Sequence, residues 1–162
     1  MMQALGIFLA LVLSAACLHK GTERNRLIAA TATLTGVGLR EAPFLLLVAG
    51  LWEALAAIAL LVPGLTPIGA GAGAVLWTLY AAALRRRRGQ RIDCGCDIMR
   101  RDKPVSTGMI LRPVVLAALA VMVALLPAGA FSPDLIFAAL GFAALWFATG
   151  EFLSLPLVAR AR

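Results

Sequence analysis

Charge is what this chain has least of: Asp, Glu, Lys and Arg together make up 14% of its 162 residues, and it has one His and one Tyr. So little charge excludes an ordinary soluble domain, whose outside is largely polar, and it equally excludes a disordered chain. Cysteine is scarce too, and three of them cannot build the multi-disulfide scaffold of a small secreted domain. Lys and Arg are missing altogether from the start of the chain and from two short turns, Pro63-Gly64-Leu65-Thr66-Pro67 and Pro127-Ala128-Gly129. What is present is apolar: 62% of residues are hydrophobic and the mean hydropathy is +0.93. The solvent of such a surface is lipid. Four consecutive arginines, Arg85 to Arg88, therefore do not indicate a nucleic-acid binder, because the segments beside them are long enough to span a bilayer.

A bilayer core of about 30 Å takes roughly 20 apolar residues as a helix, with every backbone polar group satisfied inside the segment. Five stretches meet that length: Met2 to Leu18, Pro43 to Val62, Leu65 to Leu84, Ile110 to Leu126 and Leu135 to Val158. The expected fold class is all-α: one integral membrane domain over residues 1–162, a polytopic bundle of about five transmembrane helices built as a four-helix core plus one. Leu13-Ser14-Ala15-Ala16-Cys17 loosely resembles a lipoprotein cleavage box. No basic residue precedes the apolar run, however, and more membrane protein follows it, so an uncleaved first span is expected. Leu27 to Leu39 is too short to cross and reads as an interfacial or re-entrant helix. In the third span Gly69, Gly71 and Gly73 alternate with Ala70, Ala72 and Ala74; small residues let helix backbones approach in lipid, which predicts a place at the bundle centre.

All 15 Lys and Arg then fall on one side of the membrane. The positive-inside rule predicts that this side is cytoplasmic and that the N-terminus is outside. On the same side lies a polar loop, residues 85–109, which contains Arg91-Ile92-Asp93-Cys94-Gly95-Cys96-Asp97. Two cysteines one residue apart in a polar segment do not serve packing, and the glycine between them lets both sulfurs approach each other or one ligand. From Arg85 to Lys103, eight basic residues against Asp93, Asp97 and Asp102 leave a local charge of +5, which favours the thiolate, although the two flanking aspartates oppose it. A disulfide across one residue closes a tight, easily reduced ring, so exchange is its expected chemistry.

Lys20 after the first span, Glu53 within the second, Asp93-Cys94-Gly95-Cys96 and then Arg112 at the head of the next span together resemble the methylamine-utilisation protein MauE family, which is related to DoxX-type membrane proteins. The likeness runs from about Leu5 to Leu126, with the Asp-Cys-Gly-Cys run as its distinctive part. It implies a helical inner-membrane protein of redox maturation, serving disulfide or quinone-cofactor assembly in methylamine dehydrogenase and partnered by a thioredoxin-like protein. Where the family continues with Phe-Gly and Arg-Asn, this chain has Asp97-Ile98 and Arg112-Pro113.

Cys94 and Cys96 are thus the expected redox pair, with a reactive disulfide and no bound cofactor. Cys17 stands open between an inert apolar cysteine, a resolving thiol and a metal ligand; with His19, Cys94 and Cys96 it would complete a four-ligand set for zinc, copper or mercury in a metal-binding or transport protein, the alternative function. Glu53, near mid-membrane, is a candidate proton relay or a packing acid, and Glu151 reads as structural. Trp52, Trp77, Tyr80 and Trp146 read as core or interfacial aromatics.

Overall fold

The computed structural model describes residues 2–90, 105–126 and 132–154, with the backbone alone for 151–154. The described residues form six helices: α1 Met2–Thr22, α2 Arg24–Thr35, α3 Ala42–Leu61, α4 Thr66–Arg86, α5 Thr107–Leu125 and α6 Asp134–Ser154. The described residues contain no strand.

Local chemistry sets the ends. Pro43 and Pro67 occupy the first turns of α3 and α4, where a missing N–H costs nothing. Between these helices Gly64 turns the chain at φ 85°, a left-handed value that L side chains resist. Helix α5 starts at Ser106, whose hydroxyl accepts from the Met109 N–H at 3.4 Å. Helix α2 ends at Gly36, φ 81°, whose N–H bonds the Ala32 carbonyl at 2.8 Å.

Helices α1, α3, α4 and α5 are long and apolar enough to cross a membrane, and α6, 21 residues long, is apolar through Asp134–Gly150. The chain is a polytopic helical membrane protein. Helix α1 runs four residues past its expected end at Leu18, and α4 continues into Arg85 and Arg86. Both extensions carry cations in the last turn of a helix, where its dipole favours them.

Spans consecutive in the chain run antiparallel, so α1 and α4 start at the same end. At one end a Cβ on Gly6 of α1 would lie 3.9 Å from both Thr66 of α4 and Val123 of α5. At the other, Lys20 of α1 meets Glu53 of α3, and Arg87 beyond α4 donates through Nε to the Leu34 carbonyl of α2 at 3.5 Å. Helix α2 lies at this second end against α1, α3 and α4, as expected of a segment too short to cross. Its threonines turn inward on its own backbone: Thr33 and Thr35 donate to the Ala29 and Thr31 carbonyls at 2.9 and 2.7 Å.

Helix α4 is central, packing on α1, α3 and α5. Its small residues work on one face only. A Cβ on Gly69 would lie 2.5 Å from the Leu60 backbone nitrogen, so only glycine admits this approach of α3, whereas a Cβ on Gly71 would meet nothing within 4 Å. The core around α4 draws Leu9 and Leu13 from α1, Ala56 and Leu60 from α3, Leu116 and Ala120 from α5 and Ala139 from α6.

Candidate functional site

Glu53 is the buried charged residue of the described core, 1% exposed, and three helices supply its surroundings. Lys20, near the end of α1, points its ammonium inward and donates to Glu53 Oε1 at 2.6 Å and Oε2 at 2.8 Å. Tyr80 of α4 donates its hydroxyl to Oε1 at 2.9 Å, and its ring lies below the same ammonium, 5.6 Å from Nζ to the centroid. An acid at this depth is expensive unless paired, and here a bidentate ion pair and a phenolic donor satisfy it. Lys20, expected as one of the basic residues that set topology and as one mark of the family resemblance, is drawn into the bundle. Tyr80, expected as a core or interfacial aromatic, is a polar partner. Trp52, next to Glu53, ties α3 to α4 by donating its indole N–H to the Ala72 carbonyl at 3.1 Å.

A cavity of about 290 Å³ opens beside this triad, between α2, α3 and α4. Lys20 and Tyr80 line it along with Trp52, Leu76, Leu34 and Leu84. Leu34 and Leu84 also form a small second core with Val105 and Ile110. Val105 closes the base of the cysteine loop: its N–H donates to the Gln90 carbonyl at 2.9 Å, and its carbonyl accepts from Gly89 at 3.2 Å. Gln90 and Val105, the described residues on either side of the cysteine segment, lie at the end of the bundle occupied by Lys20 and α2.

Cys94, Cys96 and their neighbours Asp93 and Asp97 lie outside the described residues, as does the side chain of Glu151. Cys17 is a free, half-buried thiol on α1. His19 meets Arg26 of α2 at 3.0 Å between Nε2 and Nη2, and the same guanidinium reaches Glu23 at 3.5 Å. Residues two apart on a helix do not face each other, so Cys17 and His19 leave α1 in different directions. Among the described residues no three of His, Cys, Asp and Glu gather as a metal site. The proposed four-ligand set has half its members outside them.

Arg112 forms a second polar point. Its guanidinium sits 5.2 Å from the Trp146 ring centroid and donates to the Trp146 carbonyl at 3.4 Å. It fills the space where a side chain on Gly150 would stand, which explains a buried glycine in α6.

The fold and this polar centre define a small polytopic membrane protein organised around an intramembrane ion pair. Residues 1–126 match the family described as methylamine utilisation protein MauE, and the chain belongs to that family. It is 37% identical over 128 residues to the methylamine utilization protein MauE of Methylophilus methylotrophus, covering 75% of this chain and 66% of the relative. It is 36% identical over 124 residues to the protein of that name from Paracoccus denitrificans, covering 75% and 67%. The chain thus spans about two thirds of the length of these relatives. No solved structure matches it significantly.

Proposed function

We propose that this chain is an inner-membrane thiol–disulfide exchange protein of methylamine utilisation, in which Cys94 and Cys96 form a reversible disulfide that exchanges with a thioredoxin-like partner. One observation carries the reading: the only two cysteines close in sequence lie in a polar stretch between two spans, amid a local charge of +5. A basic setting favours the attacking thiolate, and a polar connection between spans is the part of a membrane protein that a second protein can reach. The family's association with methylamine utilisation supports that pathway. The basic residues at that end of the bundle support a cytoplasmic position for the loop.

Exchange passes through a mixed disulfide, so Ser at the resolving cysteine traps the partner covalently and Ser at the attacking one does not. The expected result is a reducible adduct from one of Cys94→Ser and Cys96→Ser. Two adduct-free variants, with both thiols permanently reduced in cells, would overturn the reading. An impermeant thiol reagent on intact cells should leave both cysteines unlabelled; labelling reverses the orientation. Cys17 belongs to the proposal as a resolving thiol, with slower exchange expected in Cys17→Ser. Glu53 belongs to it as a relay for the protons that thiol oxidation releases. Folded Glu53→Gln protein should then show a pH-shifted turnover, and an unshifted profile leaves the acid as a packing anchor alone.

A further inference from the structure

The cavity between α2, α3 and α4 combines three properties. It is largely apolar, and its rim residues Val48, Trp52 and Leu79 are exposed on the lipid-facing surface. Its volume of about 290 Å³ falls at the small end of the range of about 300–1,000 Å³ typical of small-molecule sites. Its polar side chains are Lys20 and Tyr80 on one side and, on α2, Thr31 and Thr35, of which Thr35 spends its hydroxyl proton on the Thr31 carbonyl. An ammonium has three N–H donors, and Glu53 takes two directions of this one, which leaves one N–H for another acceptor. The charge of Lys20 is matched by Glu53, so the wall offers a hydrogen bond without a net charge. That combination selects against an anionic headgroup and for a neutral acceptor on an apolar body.

We propose that this cavity binds a neutral, lipid-soluble carbonyl compound of the quinone class, one ring carbonyl accepting the Lys20 N–H that Glu53 leaves over. Its role rests on the thiol-exchange reading. There the bound quinone is the final electron acceptor of dithiol oxidation: two S–H bonds break, one S–S bond forms, and two electrons and two protons pass to the carbonyl oxygens, giving the hydroquinone. The inner end of the cavity, at Leu34 and Leu84, packs on Val105 at the base of the loop, which places acceptor and exchange segment at the same end of the bundle.

The test uses the full chain in phosphatidylcholine nanodiscs, with Trp77→Phe and Trp146→Phe leaving Trp52, on the cavity wall, as sole fluorophore. Decylubiquinone should quench Trp52 saturably. Ala83→Phe, which fills the cavity, should abolish saturation, and the double variant Lys20→Met with Glu53→Gln should weaken binding about tenfold, the size of one lost hydrogen bond. A photoreactive quinone should label peptides of α3 and α4 in unsubstituted protein, which keeps the test valid if the single-tryptophan chain misfolds. Equal competition by an alkylbenzene of the same chain length means a lipid slot only, and stronger competition by oleate means an anion site; either overturns the proposal, as does the absence of both quenching and labelling. None of these readouts uses a thiol. Saturable binding without a trapped partner would sink the exchange reading alone, and a trapped partner without binding would sink this one alone.

Discussion

Helices α3 and α4 are held together differently at their two ends. Near the Pro63-Gly64 turn they touch backbone to backbone at Gly69, beside a long hydroxyl bond from Thr66 to the Leu60 carbonyl at 3.4 Å and with no ion pair among the described residues there. Toward the basic end they part around a cavity, and a carboxylate, an ammonium and a phenol join them to α1. Close packing in lipid needs only small side chains in register, whereas a splayed contact needs specific partners that are worth little singly and costly to break. The first end tolerates change according to size, the second according to charge.

Lys20→Met should sharpen that contrast most. It strands Glu53, 1% exposed, without its cation, and unfolding in mixed micelles of rising SDS fraction should show a loss of about 3–5 kcal/mol. Adding Glu53→Gln should recover most of it. A cost below about 1 kcal/mol, the worth of a surface pair, would mean that the ion pair does not hold this end. Gly69→Val should follow at about 1–3 kcal/mol, because its Cβ would collide with α3 backbone rather than with a movable side chain. Gly71→Val, two residues on and facing open space, should be nearly silent, and equal costs at the two positions would erase the close-contact end. Tyr80→Phe removes one donor to a carboxylate that keeps its lysine, for about 1.5 kcal/mol. Gly36→Ala should cost about 1 kcal/mol from the left-handed φ of 81°, above only Gly71→Val, and should displace Arg87 from the end of α2. Proteolysis within α2 should report it.

The apolar runs made the spans legible, since run length alone decides whether a helix reaches across lipid. The short threonine-bearing helix after the first span and the central place of the Gly/Ala helix were equally readable. The Lys20–Glu53–Tyr80 centre was not. Its members come from α1, α3 and α4, separated by 33 and 27 residues, and no local period links them. A signal did exist: an acid within a span demands a partner, and a lysine near the end of another span can bend its stem inward as readily as outward. Counting Lys20 for topology concealed it. Arg112 was visible as a residue at the head of a span, and the short Pro127-Ala128-Gly129 turn made α5 and α6 an expected hairpin, but which α6 residues would face the guanidinium, Trp146 and Gly150, follows from packing and from no local pattern.

The two backbone bonds that join Gln90 and Gly89 to Val105 pin the adjoining ends of α4 and α5 to each other. With the helices also fixed by their mutual packing, the entropy of closing the connection between them grows only slowly with the number of residues in it. Each added residue is therefore cheap at this clasp, whereas at the Pro63-Gly64 turn, where α3 and α4 meet directly at Gly69, an insertion would pull apart a backbone contact.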